Sequence, residues 1–248
     1  MLFRSIIGDY AKALEQCEIA VPIAASDERN YLHFRLLRAD ALGYADKGGP
    51  AVAECQALLK EYVQPDQVSY IRHTLSNLYS QMKDYVRSEE QLQIILKSDP
   101  SDSTASNDLG YLWADQNRNL EEAERLIRRA LDLDREEKRR GQAISTAALE
   151  ENAAYLDSLG WVLFRRGKLQ EAAQLLEQAA KLSRSDEDPV IWDHMGDIYS
   201  RMNEVEKART AWKKSLQLYE VDKRHKQDDH YKELKRKLQL VKQEASPN

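Results

Sequence analysis

Glycine, proline and cysteine are all scarce in this chain of 248 residues, which has nine Gly, six Pro and two Cys. Gly and Pro punctuate turns and break helices, so their shortage excludes a fold built from many short strands and tight turns. Ala, Leu, Glu, Lys and Arg, the strong helix formers, dominate instead, and the chain reads as all-α. No apolar run approaches the roughly 20 residues that a transmembrane helix requires. The opening decapeptide MLFRSIIGDY has too short an apolar run and no small-residue cleavage site, so it does not read as a signal peptide. Compartment is left open between cytoplasm and, for a longer exported precursor, periplasm. Positive charge is also in deficit, with 37 Lys+Arg against 42 Asp+Glu and a net charge of −5. That balance opposes a nucleic-acid backbone as the main partner. Cys17 and Cys55 stand 38 residues apart with no Cys-x-x-Cys pair and no neighbouring His, and read as small buried apolar residues.

Chemical motifs are lacking as well. No Gly-x-Gly-x-x-Gly, Walker-type loop or His-Glu-x-x-His occurs, so nucleotide and zinc-protease chemistry have no support. The five His are dispersed; His33 and His73 have no carboxylate at matching spacing. No catalytic, cofactor or metal site is expected. Asp193 and Asp197, at i and i+4 of one helix face with Asp157 a candidate opposite, form a carboxylate pair that could share a cation.

What the chain does contain is a repeat. Three segments read NDLGYLWADQNRNLEEAERLIRRALDLD from Asn107, DSLGWVLFRRGKLQEAAQLLEQAAKL from Asp157 and WDHMGDIYSRMNEVEKARTAWKKSLQL from Trp192. Each carries Leu or Met, then Gly, then an aromatic or Leu three residues on, then Ala about twelve residues after the Gly. The pattern resembles the tetratricopeptide repeat, a 34-residue helix-turn-helix unit. On its frame Met195, Gly196, Tyr199, Ala208 and Trp212 occupy positions 7, 8, 11, 20 and 24. Gly110 and Gly160 take position 8 in the two copies before it, and Ala123 and Ala172 take position 20. Upstream the pattern weakens but keeps phase, through Leu75, Ser76, Tyr79, Ser88 and Leu92, and before that Ala39, Leu42, Ala51 and Cys55. Trp113, Trp192 and Trp212 fall on core positions.

The resemblance implies an all-α, right-handed α-solenoid of about five and a half repeats with a C-terminal capping helix. Its parts are a half repeat at 1–28 and repeats at about 32–65, 69–102, 103–137, 153–186 and 189–222, with an insertion at 135–152. Small residues at positions 8 and 20 let the paired helices approach closely, and each unit must stack on neighbours to bury its apolar face. Arg135 to Arg140 should prolong the preceding helix until Gly141 stops it. Residues 222–243 carry eight Lys/Arg against four Asp/Glu and read, within 222–248, as a basic capping helix from about Tyr231, N-capped by Asp228 or Asp229. At the other end Leu2, Phe3, Ile6 and Ile7 lack a covering helix, which suggests a fragment of a longer chain or self-association through the half repeat.

In this family the first helix of each unit lines a concave groove. Projected onto this chain, the groove takes His33, Leu36, Asp40 and Tyr44, then Tyr70, His73, Asn77 and Gln81, then Asn107, Tyr111 and Asp115. The last two units add Asp157, Trp161, Phe164 and Arg165, then Asp193, Asp197 and Arg201. Aromatic anchors beside an excess of carboxylates suit a basic or polar segment, or a helix with Lys or Arg beside an apolar anchor. The Lys and Asn that some co-chaperone members use to clamp a terminal carboxylate are missing, with Leu36 and Asp40 in their places. The expected function is a non-enzymatic protein-interaction scaffold, with substitution of Trp161 or Asp193 weakening partner binding while helix content is kept. The alternative is the repeat region of a larger protein, since the last repeats are similar to those of long bacterial members, several tied to envelope or polysaccharide assembly.

Overall fold

A computed structural model describes residues 10–140, 150–182, 188–221 and 229–244. Twelve α-helices follow one another among these residues, and none of the described residues is in a strand. They fall in two compact units, Met1–Pro100 and Ser101–Asn248. The first contains α1 (Tyr10–Ala24), α2 (Glu28–Tyr44), α3 (Gly48–Glu61), α4 (Pro65–Gln81) and α5 (Tyr85–Ser98). The second contains α6 (Ser103–Asp115), α7 (Leu120–Arg140), α8 (Ala153–Arg165), α9 (Leu169–Lys181), α10 (Pro189–Arg201), α11 (Val205–Val221) and α12 (Asp229–Glu244). Leu2, Phe3, Ile6, Ile7, Gly141 and Asp228 lie outside the described residues.

The helices pack as hairpins, α2 with α3, α4 with α5, α6 with α7, α8 with α9 and α10 with α11. Within each unit the first helix of a hairpin also meets the first helix of the next: α2 with α4, α6 with α8, and α8 with α10. Local chemistry sets these bounds. Asp27, Asp102, Asn152 and Asp188 cap α2, α6, α8 and α10, each side chain accepting a backbone N–H of the first turn, and Pro65 opens α4. All five hairpins turn through a left-handed residue placed two positions beyond the first helix: Asp46, Lys83, Asn117, Gly167 and Asn203, with φ between 54° and 79°, and the α6–α7 turn adds Asn119 at 48°. The N–H of the next residue then reaches back to the helix, as Lys168 does to Leu163 O at 2.9 Å, and satisfies carbonyls that the helix end would leave bare.

Inside the hairpins the small residues do what their spacing implied. A Cβ on Gly110 would meet Ile127 at 2.6 Å and the Ala123 carbonyl at 2.9 Å; one on Gly160 would run into Leu176, and one on Gly196 into Trp212. In the second hairpin the same crossing is made by two serines, Ser76 Oγ lying 2.9 Å from Ser88 Oγ. Ala123, Ala172 and Ala208 at the facing position are buried, as are Trp113 and Trp212, while Trp192 is half-buried. Cys17 and Cys55 are fully buried free thiols. The α7 helix runs on to Arg140, and its extension is tied down where the chain returns: Arg135 pairs with Glu151 at 2.9 Å, and Lys138 donates to the Glu150 carbonyl at 2.7 Å. At the end of the second unit α12 packs on α11. No helix among the described residues is long and apolar enough to cross a membrane.

Candidate functional site on the first-helix faces

The residues projected onto one groove divide between the two units, and their environments differ. In the first unit the beginnings of α2 and α4 border an open cleft of about 1080 Å³ lined by Asp27, Arg29, Asn30, Leu32, His33, Asp66, Gln67 and Tyr70. Both helix starts place N-terminal residues here: Asp27 is the N-cap of α2, and Asp66 is the first-turn carboxylate that the α4 helix dipole favours. The His33 ring and the Tyr70 hydroxyl lie 3.3 Å apart across the cleft, and Tyr70 remains 44% exposed. His33 thus meets Tyr70, the partner that sequence spacing does not reveal. Asn77 and Gln81 are exposed further along α4, and His73 is half-buried. Tyr44 stacks on Tyr10 of α1 with ring centroids 5.3 Å apart. Leu36 is a correction: it is 1% exposed and belongs to the core of the unit rather than to the groove. It shares that core with Ile71 and Leu75, where an apolar side chain gains most.

Asp40, half-buried on the same helix, has its carboxyl pushed up to about 6 by burial. Because 6 lies above the ordinary 3.8, the native state holds this proton more tightly than the unfolded chain does. Its contribution to stability is full below about pH 4 and is lost as pH rises toward 6, which makes the ionised side chain a cost at neutral pH. Asp40→Asn is expected to raise stability by about 1–3 kcal/mol at pH 7.5 and to change it little at pH 3.5, read by urea denaturation at both values.

The second unit is more closed. Asp157, Trp161 and Asp193 are 6%, 7% and 2% exposed, and Asn107 is buried as well. A first-helix residue on the inner side of a hairpin stack is covered by the first helix of the next hairpin, and here α8 lies under α10. Asp157 of α8 accepts from His194 Nδ1 of α10 at 2.9 Å. The imidazole is sandwiched against Trp161 at 4.1 Å between ring centroids, and Tyr111 of α6 stands 6.2 Å away. Phe164 also stacks on Trp161 at 5.1 Å, and the Arg165 guanidinium sits 5.6 Å over the same indole while donating to the Asp115 carbonyl. Burial pulls the His194 value down, but the adjacent Asp157 carboxylate, with Asp193 and Asp197 behind it, outweighs that and leaves it raised. Tyr111 is pushed well above the ordinary phenol range by burial and by surrounding carboxylates, so it stays neutral.

One helix turn on, Asp193 and Asp197 do share a cation, and it is the ammonium of Lys237 on α12, 2.8 Å and 2.6 Å away. Trp212 Nε1 donates to Asp197 at 3.0 Å and fixes that carboxylate. Burial raises Asp197, with Lys237 opposing and Asp193 reinforcing the shift. Asp157, Asp193 and Asp197, projected as open groove charge, are therefore paired inside the unit, because an unpaired buried carboxylate costs several kcal/mol. The structure brings together Tyr111, Asp115, Asp157, Trp161, Phe164, Arg165, Asp193 and Asp197. Asn107 is buried on α6 and Arg201 is exposed at the end of α10. His194 and Lys237 are not singled out by the sequence reading; the available signal is the 37-residue step from Asp157 to His194, one more than the 36 residues from Gly160 to Gly196. Among the described residues no group of three His, Cys, Asp or Glu side chains is placed to hold a metal ion.

Comparison with known proteins agrees with this architecture. The tetratricopeptide repeat family matches residues 73–138 and again 152–185. A curated TPR repeat-containing protein of Pseudomonas aeruginosa is 31% identical over 157 residues, 63% of this chain but 24% of that protein. The chain thus aligns with about a quarter of that relative's length. Among solved structures, a thermophilic TPR protein of Thermus thermophilus superposes with a TM-score of 0.62 at 16% identity, over 86% of this chain and 99% of its own. BtubC (BKLC) from P. vanneervenii gives 0.57 at 16% identity, over 86% and 91%. The repeating hairpins, their small-residue crossings and these matches make the chain a tetratricopeptide repeat protein of bacterial type.

Proposed function

We propose that this helical-repeat interaction scaffold binds a basic or polar segment of a partner protein in the cleft between the starts of α2 and α4. The observation that carries the reading is the combination in that cleft of two carboxylates, Asp27 and Asp66, with an exposed aromatic, Tyr70, hydrogen-bonded to His33. Tyr70 offers a rigid apolar face with a polar tip, and the carboxylates select positive charge. A fixed His33–Tyr70 pair lowers the ordering cost of binding. The reading involves no catalysis, and no residue is assigned a chemical step. Binding of three peptides of equal length, each with one Leu anchor and rich in Lys, Glu or Gln, tests it by calorimetry. The Lys-rich peptide is expected to bind, and Tyr70→Ala or Asp66→Lys to weaken it about tenfold or more. Equal binding of the Glu-rich peptide, or indifference to both substitutions, contradicts the reading.

A second reading, the repeat region of a larger bacterial assembly protein or enzyme, draws on the length of the Pseudomonas relative, of which this chain matches 24%, a fact that speaks for a longer chain and not for its activity. The two are compatible, since a scaffold cleft can serve within a longer chain.

A further inference from the structure

The pairing of Lys237 with two carboxylates repeats a pairing deeper in the same unit. Asp157 of α8 receives His194 from the first helix of the next hairpin; Asp193, at the equivalent place on α10, receives Lys237 from α12. The α12 helix therefore stands as the first helix of a further hairpin, with Leu234 and Leu238 buried at 0% and 8% exposure on either side of the lysine. Its receptor has a contact of its own within the last hairpin. Trp212 holds Asp197 through the indole N–H and places its ring 5.8 Å from the Lys237 ammonium. Two carboxylates and an indole face around a single amine select a cation and reject a neutral side chain.

Resting on the reading that first-helix faces take basic segments, we propose that α12 is a displaceable plug. The pocket of Asp193, Asp197 and Trp212 binds the lysine of an amphipathic helix, is occupied in cis by Lys237, and exchanges it for a partner helix of the same chemistry. That partner presents a lysine with leucines three residues before it and one residue after it, as Leu234 and Leu238 flank Lys237. Charge complementarity supports this occupant, because α12 itself brings the positive charge and the face beneath it is acidic. Tethering gives α12 an effective concentration of order millimolar, so it occupies the pocket until a tighter or more abundant helix competes.

The test uses the full chain, its Lys237→Met and Lys237→Arg variants, and a fluorescein-labelled peptide of residues 229–244 as probe. In Lys237→Met the amides of α12 are expected to exchange about tenfold faster while those of α8 and α9 keep their protection. The probe is expected to bind that variant about tenfold tighter than the wild type, Lys237→Arg to stay close to wild type, and a probe carrying Lys237→Met itself to fail. Tyr70→Ala leaves probe binding unchanged, which separates this proposal from the cleft of the first unit. Unchanged α12 protection in Lys237→Met makes the helix a static cap and overturns the proposal. So does release of α12 without probe binding, loss of protection throughout α8 and α9, or conversion of the variant to a dimer that exchanges α12 between copies.

Discussion

Replacing His194 with alanine is expected to lower the stability of the second unit by about 3–5 kcal/mol, because it leaves the Asp157 carboxylate buried without its partner. Asp157 is 6% exposed and lies against the His194 ring at 2.9 Å, so solvent cannot take over the lost bond. The ring also fills the space beside Trp161, adding a packing loss to the electrostatic one. A double-mutant cycle with Asp157→Ala separates the two, since removing both polar partners relieves the unpaired charge and costs less than the sum of the single changes. The effect depends on pH in a defined direction. The native-state value of His194 is raised above 6.5, so the protonated ring contributes its full stability below that value. The contribution is lost as pH rises through the native-state value. The difference between wild type and His194→Gln in denaturant titrations is accordingly largest in mild acid and shrinks in base. Facing this ring are Asp157 and Trp161 from α8, Tyr111 from α6, and Asp193 and Asp197 on its own helix.

Trp161→Ala is expected to cost about 3–5 kcal/mol, the range for deleting a buried aromatic. The indole is 7% exposed and stacks with both Phe164 and His194, with the Arg165 guanidinium 5.6 Å from its centroid. Read from spacing alone, this residue lines the groove, and its loss would spare the fold. The structure reverses that expectation. Thermal melts followed by circular dichroism decide between them: a large drop in midpoint supports an interior tryptophan, and an unchanged melt returns it to the binding surface.

These two cases show where a sequence can be read and where it cannot. Gly110, Gly160 and Gly196 recur at one repeat position, and each meets the side chain on the second helix of its own hairpin: Ile127, Leu176 and Trp212. Contacts within a hairpin repeat with the period, so composition and spacing expose them. The left-handed turn residues keep the same place but differ in type, Asp46, Lys83, Asn117, Gly167 and Asn203, and so are visible only in the backbone. Contacts between hairpins are harder still. Asp157 finds His194 and Asp193 finds Lys237, yet the receiving side chains differ in length and charge, and the second pair spans the non-repetitive residues 222–228. The projection onto a groove could tell which helix face a residue occupies. It could not tell how far the next helix covers that face, which depends on packing between hairpins. The cleft in the first unit stays open because its residues lie at helix starts, where the N-cap Asp27 and the first-turn Asp66 remain at the surface.

The most direct test of the binding surface is amide hydrogen exchange on the intact chain with and without the Lys-rich peptide. Increased protection at 28–34 and 66–72, abolished by Tyr70→Ala, is the expected result. Protection confined to other helices, or none at saturating peptide, would contradict the assignment of the cleft as the binding surface.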